Sequence, residues 1–484
     1  MTFIMQLINE STLKSQLIKL RCHFTWDLHE KEGDIISMEE KVSGQQEYLV
    51  TEYKYMVYNL MAYLKHMQGH SDDAIANLEE AEKICLSNST QTSANLLVIY
   101  GNCAWVYYKL NQSEKSQHYI DKVNKIYTEL QLSTDPEFSI PEIYGEQGWS
   151  FLQYGEQYYE KAKECFEKAL EEAPDDPEWN SGYATAVYRF ASLPNVNYDQ
   201  DLLQPLERAI ELNPKDTVLK ALLGLTLQDL NRQDEGLKYI EEAIDEKPDF
   251  PYLLRYVAKF YRRAGMIDEA LNILSRALNL LPTSAFLHHQ IGLCHRHIII
   301  ANRNEKSNCQ YRKLSEKYLN EHIQKAIFHF ELTLEYEKSF HYAYIDLANV
   351  YREAKQNKKA EETFKKVLAF ENLIGEDKQQ ILFQYGRFAE YSKKSEWEAM
   401  EHYKEALLIP CSWMNSEKCE RDLQRLAMRK IRRDPSEATG YGLLGLVYKV
   451  QGNITKAAEY YEKALKHDPS NDEYTRALCE LAIL

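Results

Sequence analysis

Arg255, Lys259 and Arg262 stand at i, i+4 and i+7 in the segment PYLLRYVAKFYRR, so a helix there sets three cations on one stripe. Beside them Leu254, Val257, Ala258 and Tyr261 recur at i, i+3, i+4 and i+7, the spacing of a buried helical face. No acidic residue lies three or four places from any of the three cations. A solvated helix face in an acidic chain normally mixes signs, because opposite charges one turn apart attract and like charges repel. The stripe therefore points to an anion from outside the chain; carboxylates on a neighbouring helix are the plainer alternative. Tyr252 and Tyr256 flank the cations, and Trp149, Tyr158, Tyr159, Trp179 and Tyr183 gather earlier in the chain. Rings beside cations suit single-stranded nucleic acid, whose bases stack while Arg and Lys hold phosphates. A second reading is a peptide clamp, with Arg255 and Lys259 on a C-terminal carboxylate. Tyr261 is expected to pack, since it falls on the apolar stripe, whereas Trp149 reads equally as core or as stacking platform.

Other chemistry finds little support. The chain has no Gly-rich phosphate loop, no HExxH and no Gly-x-Ser-x-Gly. His288 and His289 are adjacent, so they cannot share a helix face for a metal. Glu79-Glu80, Glu171-Glu172 and Glu241-Glu242 read as solvated surface on outward helix faces. Neither an enzyme, a metal site nor a cofactor is expected. The net charge of −16 over 484 residues argues against generic adhesion to nucleic acid, so an anion site must be a local basic patch. Nine cysteines, an odd count without a Cys-x-x-Cys, read as reduced core residues of an intracellular chain. MTFIMQLINESTLKSQ lacks the basic start and long apolar run of a secretory signal, and no stretch is apolar enough for a membrane helix. A cytoplasmic location is the expectation.

Internal repeats position these residues. Gly236, Ile240, Ala243 and Pro248 recur 34 residues later as Ala270, Leu274, Ala277 and Pro282. The series also appears as Ala162, Phe166, Ala169, Pro174 and as Ala457, Tyr461, Ala464, Pro469. Small, large, small and Pro at these offsets is the tetratricopeptide signature: small residues let paired helices approach, the large one fills the gap, and Pro opens the next repeat. Less regular copies, about ten in all, extend from residue 54 to the C-terminus. Insertions interrupt them at SLPNVNYDQD and around 297–322, and a non-repeat helix, CERDLQRLAMRKIRRD, precedes the last copy. The expected fold is all-α, a tetratricopeptide-repeat superhelix enclosing a basic groove or tunnel. Its expected divisions are N-terminal helices and first repeats (1–140), central repeats forming the main groove (141–296), an inserted helical connection (297–336) and C-terminal repeats (337–484).

The segments LRCHFTW, NLMAYLKHMQG, GNCAWVYY, AKFYRR, PTSAFLHHQIGLC and YYEKAL make the resemblance specific. Over nearly its whole length the chain resembles the interferon-induced proteins with tetratricopeptide repeats, the IFIT family. The resemblance implies an antiviral protein of innate immunity that recognises the 5′ end of foreign single-stranded RNA, a triphosphate or an incompletely methylated cap. The RNA is sequestered from translation and no bond is made or broken. A tetratricopeptide scaffold holding a protein or peptide partner in its groove is the alternative.

Carried over position by position, the resemblance implies terminal-phosphate contacts at Lys41, Gln45 and Thr51, with Leu49 as an apolar wall. Lys41 stands where a relative has Arg, which keeps the charge and loses the bidentate fork. Trp149, in GEQGW, matches a Trp that stacks under a cap guanine; Glu178 matches a reader of the guanine edge, Thr185 an apolar wall residue. Tyr159 and Arg189 match residues near the first nucleotide. Arg255, Lys259 and Arg262 match a phosphate-binding stripe, and Tyr252, Tyr256, His289 and Gln290 match nucleotide contacts. Three positions depart: Gln153 replaces a phosphate-side Lys, Asp216 a cap-reading Asn, and Val218 an aromatic residue. Triphosphate and cap preference therefore stay open. Tyr461 and Leu465 in YYEKAL resemble a Tyr-x-x-x-Leu pairing motif, which implies homo- or hetero-oligomers with sibling proteins; Tyr461 is also the large packing residue of its repeat.

Overall fold

A computed structural model describes residues 11–28, 53–88, 92–131, 140–193, 196, 202–305, 316–370, 373, 375–410 and 414–483, with single positions at 35, 38, 39, 42, 43 and 46. Lys41, Gln45, Leu49 and Thr51, the N-terminal part of the expected phosphate site, lie outside the described residues. All regular structure among the described residues is helical.

The chain divides into two compact units, Met1–Pro282 and Thr283–Leu484. In the first, helix pairs follow one another: Lys54–Met67 with Ser71–Ser87, Leu96–Lys109 with Ser113–Glu129, Pro141–Tyr154 with Tyr159–Glu172, Thr217–Asp229 with Gln233–Glu246, and Pro251–Arg263 with Ile267–Leu280. Pro141, Pro177 and Pro251 each open a helix, where a missing N–H costs nothing. The first helix of a pair ends on a left-handed residue: Gly69 at φ 85°, Gly265 at 77°, but also Asn111 at 58° and Asn231 at 61°. That turn lets the next N–H reach back over the helix end, as His70 does to the Lys65 carbonyl at 2.9 Å and Met266 to Tyr261 at 2.9 Å. The connection is thus short enough to fold the second helix back on the first.

Packing between helices rests on glycine facing an aromatic ring. The Phe166 ring lies between two helices, and a Cβ added at Gly148 or Gly182 would sit 2.8 or 2.3 Å from it. The same socket recurs in the second unit, with Gly292 against Phe330, Gly386 against Tyr403 and Gly445 against Tyr461. Where both residues are small, backbones touch: a Cβ on Gly236 would meet the Gly224 carbonyl oxygen at 2.5 Å. These are the small and large positions of the repeat, so its physical basis holds in both units.

In the second unit, helices Ala285–Glu305 and Glu316–Tyr336 each run for 21 residues, followed by His341–Glu353 with Asn357–Leu368, Gly375–Phe388 with Glu396–Leu407, and Ala438–Val450 with Ile454–His467. The insertion expected around 297–322 therefore lengthens both arms of one hairpin over its described residues. Helix Met414–Arg433, outside the repeat pattern, buries Cys419, Leu423, Leu426 and Ala427 in the core of this unit. Among the described cysteines Cys22, Cys85, Cys103, Cys165, Cys294 and Cys419 are buried, but Cys479 is exposed, contrary to expectation. No helix among the described residues is long and apolar enough to cross a membrane.

Gly182→Ala should therefore destabilise the protein by about 1–3 kcal/mol, the usual cost of overpacking a dense core. Phe166→Leu in the same chain should recover part of that loss, so the two changes should be non-additive in chemical denaturation. Additive effects would show that the ring does not set the helix spacing.

Candidate functional site

The first unit gathers the expected central residues around one guanidinium. Arg189 lies in the last turn of helix Pro177–Ala191 and donates to the Leu152 carbonyl oxygen at 2.9 Å, to the Tyr256 hydroxyl at 3.2 Å and to the Tyr252 hydroxyl. Its centre also lies 5.7 Å from the Tyr159 ring. Three helix pairs thus meet at one cation whose partners are neutral oxygens and π-faces; among the described residues it forms no ion pair.

Helix Pro251–Arg263 supplies the second layer. Its apolar stripe is buried through Leu254, Val257 and Ala258, while Tyr261 is half-buried. Arg255 leans on its own helix, its guanidinium 4.9 Å from the Tyr252 ring centre and 5.5 Å from that of Tyr256. Lys259 donates to the Tyr188 hydroxyl at 3.1 Å. Arg263, one turn on from Lys259, pairs with Asp229 at 2.7 Å, which brings one carboxylate of a neighbouring helix to the edge of the stripe. Burial, reinforced by Arg263, pulls the Lys259 amine down to about 8. Burial works against ionising Tyr256, yet Arg189 and Arg255 outweigh it and draw its phenol down to about 8. The Lys259 shift is chiefly one of burial, whereas Arg189 and Arg255 on Tyr256 mark the positive side of the cluster. Arg262 is half-buried on the same stripe.

The expected cap-side residues sit nearby in sequence register, each with a structural task. Trp149 is half-buried and edge-on to Phe166, with ring centres 5.5 Å apart at 78°. Its indole N–H is buried and has no acceptor among the described residues. Trp179 is core: only 2 % exposed, its ring fills the space beside Gly145. Thr185 is buried and donates its hydroxyl to the Ser181 carbonyl at 2.8 Å, which uses its one O–H proton. The Glu178 N–H binds the Asp176 carboxylate, which caps the helix, at 2.9 Å. Asp216 caps helix Thr217–Asp229 by accepting from the N–H groups of Val218 at 2.9 Å and Leu219 at 3.2 Å. Burial raises its carboxyl while these bonds act the other way. Val218 is buried behind it.

His289 and Gln290 belong to the second unit. His289 is buried and shares Asp346 with Arg296: its Nε2 lies 3.0 Å from Oδ2, and the guanidinium 3.3 Å from Oδ1. Gln290 stands beside it, its amide 3.5 Å from the ring. His288 turns instead to His329, with their Nδ1 atoms 3.0 Å apart. No group of three or more metal-ligating side chains occurs among the described residues. Tyr461 is buried against Gly445, and Leu465 is half-buried one turn on.

Sequence reading did not find Tyr188, whose hydroxyl positions Lys259 from a neighbouring helix, nor a polar network inside the first unit. In that network Asn59 donates to Glu146 at 2.6 Å and Asn102 donates to Asn59 at 2.7 Å. Asn102 also lies 2.9 Å from His23 Nδ1, while His23 Nε2 lies 3.0 Å from the Ser150 hydroxyl. All five residues are buried. Burial pushes the Glu146 carboxyl up to about 8 although Asn59 favours its charged form. Burial drives the His23 imidazole down to about 3 against the Asn102 bond.

Tetratricopeptide-repeat models match residues 438–471 and, for a second model of that repeat, 151–176, 219–250 and 341–371. The human antiviral innate immune response effector IFIT1 is 41% identical over 461 residues, 95% of this chain and 96% of the relative. Human interferon-induced protein with tetratricopeptide repeats 2 is 34% identical over 95% of this chain and 96% of its own. Among solved structures, a human IFIT1 dimer with m7Gppp-AAAA matches with a TM-score of 0.83 at 41% identity, covering 94% of this chain and 99% of that one. A human IFIT1 dimer with PPP-AAAA matches with a TM-score of 0.82 at 40% identity and the same coverage.

The buried network gives a pH signature. Glu146, raised above its unfolded value of 4.5, contributes stability that is lost as pH rises towards 8. His23, depressed below 6.5, contributes stability that is lost as pH falls below 6.5. Between these limits, from pH 6.5 to 8, only the Glu146 contribution of this pair varies. Stability should fall with rising pH there, by at most about 1.4 kcal/mol per unit for one proton. Glu146→Gln, which keeps an acceptor for Asn59 and cannot ionise, should flatten that slope in denaturant titrations; an equally steep slope in the variant would place the proton elsewhere.

Proposed function

Because the chain belongs to the interferon-induced proteins with tetratricopeptide repeats, the IFIT family, we propose that it binds the 5′ end of single-stranded RNA, a triphosphate or a cap, as a cytoplasmic antiviral effector. It withholds that RNA from translation, and the reading calls for no bond-making step.

The observation that carries this is the positive cluster of the first unit, where Arg189, Arg255 and Lys259 crowd among Tyr159, Tyr188, Tyr252 and Tyr256. Phosphates are the natural counter-charge for guanidinium and ammonium groups gathered in one place, and the rings offer faces to bases. In this reading Arg255, Lys259 and Arg262 hold phosphates together with Arg189 and the N-terminal Lys41, Gln45 and Thr51. Tyr159, Tyr252, Tyr256, His289 and Gln290 meet the first nucleotides. Leu49, Trp149, Glu178, Thr185 and Asp216 form the cap side. An acceptor on a bound ligand would also satisfy the buried Trp149 N–H. Asp216 enters this role with Oδ1 already occupied by two backbone N–H groups, so at most Oδ2 reads a base.

Human IFIT1 is described as a dimer with RNA. We extend self-association to this chain through Leu465, since Tyr461 is taken up by its own repeat. Leu465→Glu should shift a dimer to monomer in sedimentation at micromolar concentration. A wild-type monomer would end that part of the reading.

The function is tested with one short RNA carrying a 5′-triphosphate, cap, monophosphate or hydroxyl. The wild type should prefer the first two, and Arg255→Glu or Lys259→Glu should abolish binding with little change in melting temperature. Equal affinity for all four ends would refute 5′-end recognition. Trp149→Ala should weaken capped RNA about 5- to 150-fold, the range for one lost stacking contact, and triphosphate RNA less. Equal loss for both ends, with folding weakened by about 3–5 kcal/mol, would instead make Trp149 a core residue.

A further inference from the structure

Four histidines of the second unit stand in matched register. His288 and His295 lie seven residues apart on helix Ala285–Glu305, and His322 and His329 seven apart on helix Glu316–Tyr336. Seven residues are two helical turns, so the histidines of each helix share one face, about 10 Å apart along the axis. The helices form one antiparallel hairpin, and the first histidine of one meets the last of the other. His288 Nδ1 lies 3.0 Å from His329 Nδ1, and His295 Nδ1 lies 2.9 Å from His322 Nδ1.

The rings make a column along the seam. Their centres are 5.2 Å apart from His288 to His329, 6.1 Å from His329 to His295 and 5.0 Å from His295 to His322. Tyr336 stacks on His288 at 5.6 Å, and Tyr318 meets His322 edge-on at 4.4 Å, so a phenol ring closes each end. His288, His295 and His322 are buried, and His329 is half-buried.

Head-to-head nitrogens restrict the charge this column can carry. A hydrogen bond between two Nδ1 atoms needs an N–H on one and a lone pair on the other. A neutral imidazole can supply either, whereas an imidazolium carries N–H on both nitrogens. Each facing pair therefore accommodates one added proton, and a second would set N–H against N–H. Charge on one pair also opposes charge on the other, because His295 and His329 are neighbours in the column. Lys325, within one turn of both His322 and His329, adds to that opposition. Glu321 favours a proton on His295, but it is exposed and bound to Lys325 at 2.6 Å. On helix His341–Glu353, packed against the hairpin, Asp346 is shared by His289 and Arg296, Arg352 pairs with Glu353, and His341 with Asp377. Burial, then His322 and His329, hold the His295 imidazole down to about 3; burial, then His288, hold His329 down to about 4.

We propose that the facing imidazoles are an acid-sensitive latch, which holds the hairpin of Ala285–Glu305 and Glu316–Tyr336 closed at neutral pH and is released when acid charges both members of a pair. Neutral while the hairpin is closed and ordinarily basic once it opens, His295 and His329 stabilise the closed form fully above pH 6.5. That stability is lost as pH falls from 6.5 towards 4. The latch belongs to the second unit and does not depend on what the first unit binds.

Hydrogen–deuterium exchange on the full chain tests it, with protection corrected for the pH dependence of intrinsic exchange. Between about pH 7 and pH 5, protection in both hairpin helices should fall by up to roughly twentyfold for each depressed imidazole, or about 400-fold together. Helices Ala438–Val450 and Ile454–His467 of the same unit should change far less. Single His295→Gln and His329→Gln variants leave a polar partner for His322 or His288 but cannot take a proton. Each should shrink the fall by about twentyfold. An equal fall in all four helices, or a fall in the hairpin that neither variant alters, overturns the latch. Nitrogen NMR of histidine-labelled wild type gives a check that needs no variant. Couplings across two imidazole–imidazole N–H···N bonds should appear at neutral pH, and their absence there would overturn the proposal as well.

Discussion

The contact on which the array depends is a glycine facing an aromatic ring. At Gly182, Gly292, Gly386 and Gly445 the missing side chain is the space into which Phe166, Phe330, Tyr403 and Tyr461 fit. Each socket fixes how near two helices lie, and that spacing sets where the next helix begins. The cations of the first unit are placed by this means. Arg189 reaches Leu152, Tyr252 and Tyr256 only because Phe166 seats helix Pro177–Ala191 against Pro141–Tyr154. A site assembled from side chains on successive helices inherits its precision from sockets that never touch a ligand.

Much of this was legible in the sequence because the repeat is a packing rule written in residue size. The series Gly236, Ile240, Ala243, Pro248 states the helix pair, its closeness and its end. The basic stripe was legible for a similar reason, since same-sign charges at i, i+4 and i+7 on one helix are a local property. What stayed hidden depends on contacts between helices. Lys259 meets Tyr188, 71 residues away, and Arg263 meets Asp229, 34 away; neither spacing leaves a trace in local periodicity. The His23–Asn102–Asn59–Glu146 chain was hidden more deeply, because polar residues inside a helix pattern read as surface until their neighbours are known.

Capping also divides what the sequence can assign. Asp216 was read as a ligand contact, yet its Oδ1 already holds two backbone N–H groups of its own helix. An N-cap acid preceding a helix is a common local arrangement. A base contact by Asp216 would have to coexist with capping, and substitutions there would act on both at once. Thr185 shows the converse: its one hydroxyl proton is taken up by its own helix, so towards anything it faces the residue offers no donor.

Arg189 is held by hydroxyls and a carbonyl instead of a carboxylate. Neutral acceptors fix the guanidinium in place without cancelling its charge, so the folding energy of the surrounding hairpins holds a net positive charge in position. Folding and anion binding are then thermodynamically linked. An anion bound there would relieve mutual repulsion and stabilise the hairpins, while loosening any of them would release the constraint that keeps the charges together. On the proposed reading the first unit is a tensioned frame whose resistance to local opening, and so to proteolysis, would rise with a polyanion bound at these cations.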